Sequence, residues 1–359
     1  MKMQGLRLAG LKLAGLKLGG LKLGLATAGA VFAMTAAAMA EPVVLRYNQW
    51  FPTGHWSQTE GLYPWFAEIE KATEGRVKVE PSAKPIAPPN RNYQAVVDGV
   101  ADLAWGPHGY TPGVFPLTEM VELPFITEDA GKSSVAFWRL WENYFAPTGM
   151  QGDVVTLAMH VTSGGNIHMR ETPVESLADL KAQKIRVPTP TVGRVLKDVG
   201  AVPVSGSLGE LREMLSRGII DGTAISDELV TGFKVEQYVK HVTRIPGGLY
   251  SNAAFVIVNK AKWDKISEAD RATILKLSGE TLSEKMGALW HRHDLIARDA
   301  IKAALGDAYR DASPAFVAEL KAAFQPAEVA WLEQAAKLGI DGGGALNFYR
   351  AELARSGGK

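Results

Sequence analysis

The chain has 359 residues, 47% of them hydrophobic and 21% charged, with a formal net charge of +1. That composition describes an ordinary globular protein and excludes a disordered, collagen-like or coiled-coil chain. It contains no cysteine, which rules out disulfides, thiolate metal sites, cysteine nucleophiles and a lipoprotein anchor.

The charge is unevenly placed. Lys2, Arg7, Lys12, Lys17 and Lys22 fall in the first forty residues, which hold no acid, and the remainder carries 34 basic against 38 acidic side chains. A mildly acidic body gives no electrostatic reason to expect nucleic acid or an anionic membrane surface as partner. The basic start is followed by an apolar run from Leu25 and by small residues at Ala38 and Ala40, the pattern of a cleavable export signal. Residues 1–40 are therefore expected to be a signal peptide cut after Ala40. No later stretch approaches ~18 uninterrupted apolar residues, so no membrane insertion is expected after cleavage. Export without cysteine fits a periplasmic location.

The mature chain opens on a strand-like segment, 43–48, followed at 57–73 by Leu62, Trp65, Phe66 and Ile69 at helical spacing. The alternating 76–80 is a second strand. Asn90 could cap a helix through Val97, and 101–105 is a third strand. Alternation of strands and helices with short connections predicts an α/β domain with a largely parallel sheet. Beyond a short helix between Pro116 and Pro124 and a longer one over 131–144, 154–161 is a strand ended by Ser163-Gly164-Gly165. A second α/β pattern follows, with strands at 184–188, 202–204 and 219–225 and helices at 192–199 and 208–216. Residues 255–258 are strand-like and could rejoin the first sheet. Helices are expected from about 267 to 305, at 314–337 and at 346–354, with Gly342-Gly343-Gly344 as a connector. The fold class is then two-lobed α/β: 41–163 with about 253–290 in the first lobe, 164–252 with about 291–359 in the second. A cleft between two lobes is the default ligand site.

Catalytic signatures are missing. There is no HExxH, P-loop, GxSxG elbow or GxGxxG after a strand, and His291 and His293 point to different faces of a helix. Neither a cofactor nor a metal ion is expected.

One region is far more specific. Thr172-Pro-Val-Glu-Ser-Leu-Ala-Asp-Leu-Lys-Ala-Gln-Lys-Ile-Arg-Val-Pro188 continues into Gly200-Ala-Val-Pro-Val204 and then Glu210 through Arg217-Gly-Ile-Ile-Asp-Gly222. This run resembles the central signature of the substrate-binding proteins of TRAP transporters, the DctP-type family. Val97-Asp-Gly-Val-Ala-Asp-Leu103, Gly109-Tyr110, Glu122-Leu-Pro-Phe125 and Asn259 through Ile266 resemble further family patterns, in order. The resemblance implies a two-lobed periplasmic binding protein with hinge strands and a long helix spanning both lobes. It also implies a small organic acid as ligand, closure by a hinge, and delivery to a TRAP permease driven by an ion gradient.

The resemblance assigns the carboxylate clamp to Arg186, whose planar guanidinium matches a carboxylate with two parallel hydrogen bonds. On a strand it points opposite to Ile185 and Val187. Sialic-acid-type members carry a second arginine where this chain has Asn166, which argues against a strongly dianionic ligand. The other wall candidates lie at strand ends facing the cleft: Trp50, His55 and Trp56 after the first strand, Trp105 and Tyr110 after the third, Asn90 at a helix start, and Tyr250 and Asn252 beside the returning strand. For the aromatics, core or hinge packing is the alternative, and for Asn90 a helix cap. The expected function is solute reception rather than catalysis. An enzyme on the same fold would draw on His55, His168 and Asp227 as acid–base groups, and a receptor serving a sensor kinase would look the same in sequence.

Overall fold

The computed structural model describes residues 41–355, so the signal peptide expected at 1–40 lies outside the described residues. The alternating Val43–Tyr47 (β1) turns Leu45 and Tyr47 inward and pairs in parallel with Val77–Pro81 (β2) and, at Tyr47, with Leu103–Pro107 (β3). Between them Tyr63–Ala72 (α1) buries Trp65, Phe66 and Ile69, and Asn92–Val97 (α2) precedes β3. Ala130–Leu140 (α3), capped by the Asp129 carboxylate, leads into Val154–Val161 (β4). The returning strand, Ala253–Asn259, is buried along its whole length, as a central strand covered on both faces must be. It inserts antiparallel between β3 and β4. The first sheet is therefore mixed rather than largely parallel: three parallel strands, then the return strand, then β4.

The second sheet begins with Asn166–Met169 (β5), then Lys184–Val187 (β6), Val202–Ser205 (β7) and Gly222–Ile225 (β8). Pro190–Asp198 (α4) and Leu211–Ser216 (α5) connect these strands, and Asp227–Gly232 (α6) follows β8. Two short strands, His241–Arg244 (β9) and Tyr309–Asp311, complete its far edge; like β5, they are not among the strands read from the sequence pattern.

Two crossings join the sheets, after β4 and before the return strand, and they run side by side. Thr162 N–H donates to Asn252 O (3.0 Å), and Gly165 and Leu249 exchange bonds with Tyr250 and Gly165 (2.8 Å each). Gly164 lies so close that a Cβ there would sit 2.8 Å from Gly248 Cα, so glycine is required for this approach.

The helical region 267–305 divides into Glu268–Lys276 (α7) and Gly279–Leu305 (α8), broken where Gly279 takes φ +62° against Trp138. The 27 residues of α8 span both lobes. Ser283 Oγ accepts from Met159 N–H of β4 at 3.2 Å, whereas Asp294 accepts from Glu228 N–H of α6, also at 3.2 Å.

Two expectations about the C-terminus are corrected. Gly342-Gly343-Gly344 opens the helix Gly342–Arg355 instead of preceding it, because Asp341 Oδ1 accepts from Gly344 N–H at 2.8 Å. That helix also packs on α3 of the first lobe, with Arg139 Nη1 2.7 Å from Glu352 Oε2, although 291–359 was grouped with the second lobe. Pro314–Lys337 itself bridges: Phe316, Leu320 and Phe324 join the second lobe's core, while Trp331 Nε1 donates to Leu117 O at 3.0 Å.

Candidate functional site

Strand β6 runs at the lobe interface, with Arg186 only 1% exposed. Its Nε donates to Gly206 O at 3.0 Å and its Nη2 to the Tyr110 hydroxyl at 3.4 Å. Among the described residues no carboxylate lies within ion-pair distance of it. Glu210 supplies only a minor, longer-range attraction, so the desolvation of this guanidinium is little offset. The arrangement is poised for an anion.

Around Arg186 the lobes enclose a small cavity of about 20 Å³, walled by Trp50, Phe51, Trp105, Tyr110, Leu208, Leu229, Asn252 and Trp290. The rings of Trp50 and Trp290 lie nearly parallel to Trp105, at 5.5 and 6.2 Å between centroids, and Phe51 meets Trp105 edge-on at 5.1 Å. Two further contacts hold Trp105, one at its backbone carbonyl and one at its indole. Its carbonyl accepts from Trp50 Nε1 at 2.8 Å, and its own Nε1 donates to His160 Nε2 at 2.7 Å. Burial lowers the His160 pKa to about 4, so the ring stays neutral and keeps an acceptor for Trp105.

A wider cleft of about 900 Å³ lies outside this cavity and shares Tyr110 and Pro188 with it. Among the described residues Glu210 is the one charged side chain lining the outer cleft, and its carboxylate accepts from Ser207 N–H and Oγ, both at 2.7 Å.

The structure brings Arg186, Trp105, Tyr110 and Asn252 together at one cavity. Asn90 sits apart, exposed on the rim of the outer cleft in the turn Pro89–Arg91, and caps no helix. His55 and Trp56 stand behind the aromatic wall. The Trp56 indole donates to Glu228 Oε2 at 3.1 Å, and His55 Nε2 is 3.4 Å from the same oxygen. His55 Nδ1 accepts from Ser57 N–H, and burial lowers this pKa too, to about 4. Tyr250 belongs to the second crossing, its hydroxyl donating to Ala224 O at 3.0 Å and its ring filling the space above Gly165.

Asn166 does not face Arg186. Its amide donates to Asp227 Oδ1 at 3.1 Å and accepts from Ile245 N–H at 3.0 Å, so it braces the second lobe from within. His168 also binds Asp227, at 2.9 Å, and the Tyr309 hydroxyl donates to it at 2.6 Å. Burial raises the Asp227 pKa, but these bonds outweigh it and hold the carboxylate below its ordinary value. His55, His168 and Asp227 therefore do not converge on a shared cavity. Sequence reading missed Phe51, Leu208, Leu229 and Trp290 in the wall. Trp290 sits in mid-helix on α8, where an apolar residue looks like any other core position.

The family model for bacterial extracellular solute-binding protein family 7, DctP, matches residues 52–334. A Comamonas testosteroni protein named as the outer membrane transporter protein TsaT is 31% identical over 91% of this chain and 97% of its own length. A TRAP periplasmic solute-binding protein from Bordetella bronchiseptica, solved with (R)- and (S)-mandelate, superposes with a TM-score of 0.84 at 34% identity, covering 88% of this chain and 99% of that one. A marine metagenome TRAP solute-binding protein described as specific for aromatic acid ligands, in complex with 3-hydroxybenzoate, gives 0.81 at 30% identity over 88% and 99% of the two chains. With the two sheets, paired crossings and spanning helix already described, these likenesses identify the chain as a member of the DctP family of bacterial extracellular solute-binding proteins.

Proposed function

We propose that the protein is a periplasmic receptor for a small aromatic monocarboxylate, which it delivers to a TRAP permease. The observation that carries the reading is Arg186, a fully buried cation with no carboxylate within ion-pair distance among the described residues, set beside stacked tryptophans. A carboxylate would supply the missing charge through two charge-assisted hydrogen bonds. A ring would supply dispersion and offset stacking against Trp50, Trp105 and Trp290. Mandelate and 3-hydroxybenzoate in the related structures have this chemistry. With no second cation among the described residues of the cavity wall, a dianion would be left half unpaired.

A cavity of about 20 Å³ is the size for a single water. An aromatic acid therefore enters only when the lobes part, and binding proceeds by opening, capture and closure about the paired crossings. Closure is favoured to the extent that the ligand binds the closed form better. The signal peptide expected at 1–40 would place the receptor in the periplasm, and handover to a permease follows from the family.

Thermal melting of residues 41–359 against a panel of organic acids tests the reading. An acid present at about 100 times its Kd should stabilise the protein by about 2.7 kcal/mol. We expect aromatic monocarboxylates to raise the melting temperature, their methyl esters to have no effect, and the acid to be recovered chemically unchanged. Arg186→Ala should abolish the shift. If no carboxylate moved the curve of ligand-stripped protein, the proposal would be withdrawn.

A further inference from the structure

Resting on that reading, we infer that the Tyr110 hydroxyl occupies the position of a ligand carboxylate oxygen, so that the ligand binds by displacing Tyr110, with the Leu208 N–H as its second donor beside Arg186. Tyr110 belongs to the first lobe; Arg186 and Leu208 belong to the second. The phenolic oxygen accepts from Arg186 Nη2 at 3.4 Å and from Leu208 N–H at 3.1 Å. Two donors from one lobe meet on a single oxygen of the other, as they would on a carboxylate.

A phenol is a poor occupant of that place. It brings no carboxylate charge to Arg186, and its contact with the guanidinium is long for a charge-assisted bond, which normally closes to about 2.7–2.9 Å. The other side of Arg186 is already spent: Nε holds Gly206 O at 3.0 Å. A carboxylate would bring the charge and a shorter bond to the same two donors. Tyr110 is only half-buried and lines both the small cavity and the 900 Å³ cleft, so its ring has space to swing into when displaced.

The role assigned to Leu208 is a backbone one, which a pair of substitutions isolates. Ser207 has extended backbone, φ −72° and ψ 162°, as a residue before proline prefers. Leu208→Pro thus removes the N–H with little backbone strain, while Leu208→Ala trims the side chain and keeps it. Calorimetric titration with benzoate and mandelate reads the outcome. Leu208→Pro should weaken binding at least ten-fold relative to Leu208→Ala; equal Kd values for the two would overturn the second-donor role.

Tyr110→Phe removes the stand-in oxygen, so the ligand no longer competes with it, and affinity should rise about three-fold or more. An unchanged or weaker Kd would mean that the hydroxyl is not displaced, and would overturn the inference by a route that does not depend on how the proline variant folds. Arg186→Ala keeps the two levels apart. If it abolishes binding while the Tyr110 and Leu208 variants behave as wild type, carboxylate capture stands and only this inference fails. Failure of both acids to bind the wild-type protein would remove the reading beneath it as well.

Discussion

Trp56 Nε1 donates to Glu228 Oε2 across 3.1 Å, tying the loop after the first strand of one lobe to the first turn of α6 in the other. The neighbouring residue on α6, Leu229, lines the Arg186 cavity, and Trp56 meets the Trp290 ring edge-on at 4.7 Å. The latch and the Arg186 cavity therefore share two walls.

Breaking the latch should penalise the closed form. Trp56→Phe keeps a ring against Trp290 but leaves Glu228 without its indole donor, a loss of about 1–2 kcal/mol for a buried acceptor. The Kd of an aromatic acid should rise roughly five- to thirty-fold, since 1.4 kcal/mol is a factor of ten. Titration calorimetry would show it, and an unchanged affinity would mean that the bond survives opening.

Closure should also take up a proton. Burial, reinforced by the neighbouring Asp227 charge, pushes the Glu228 carboxyl well above the usual carboxylate range, while His55 facing it stays neutral and Asp294 on α8 is itself raised to about 8 by burial. Opening the lobes would hydrate Glu228 and let its pKa fall back. The closed form then binds more protons than the open one above the ordinary carboxylate range, so affinity should weaken as pH rises. Titrations in two buffers of different ionisation heat would reveal net proton uptake on binding, and Glu228→Gln should reduce it. Identical apparent heats in both buffers would refute the coupling.

His160 gives a separate pH signature, in stability. Its pKa is lowered from 6.5 to about 4 by burial, so below 6.5 the unfolded chain gains a proton that the folded chain refuses. This contribution to stability is full above pH 6.5 and is lost as pH falls toward 4, amounting to roughly 3 kcal/mol at 1.4 kcal/mol per unit. His160→Gln keeps an acceptor for Trp105 but does not titrate. Wild type should lose its advantage in melting temperature over this variant between pH 7 and pH 4. A constant difference across that range would rule out His160 as the titrating group.

The paired crossings tolerate no side chain at Gly164. A methyl group there would press on Gly248 Cα at 2.8 Å, backbone against backbone, where neither can rotate away. Gly164→Ala should cost about 1–3 kcal/mol by overpacking, read as a drop in the denaturant midpoint. Full retention of stability would show that the crossings can separate freely.

Much of this architecture was legible from local pattern. The strand at Lys184–Val187, the helix Pro314–Lys337 and the return strand around Phe255 all announce themselves by periodicity or by a continuous apolar run. Arg186 was singled out by the motif surrounding it, and the structure buries it beside the small cavity. The short edge strands His241–Arg244 and Tyr309–Asp311 were not legible, because strands of three or four residues are fixed by their sheet neighbours rather than by their own alternation. His55, Trp56 and Asn166 had the right chemistry for a ligand site, but Trp56 and Asn166 spend their polar atoms on partners distant in sequence, and His55 Nδ1 is held by Ser57 two residues on. Trp290 joins the wall because α8 crosses both lobes, a placement that helical spacing alone does not reveal.

Six of the residues that wall the outer cleft are prolines: Pro88, Pro89, Pro112, Pro188, Pro190 and Pro203. Proline has no N–H to give, so the side-chain donors of this wall are the Asn90 amide and the Tyr110, Thr189, Ser205 and Ser207 hydroxyls, none of them charged. The one charged side chain among the described residues of the wall, Glu210, is itself an acid. An acid arriving through the cleft would therefore meet its first positive charge at Arg186, where the outer cleft gives way to the small cavity.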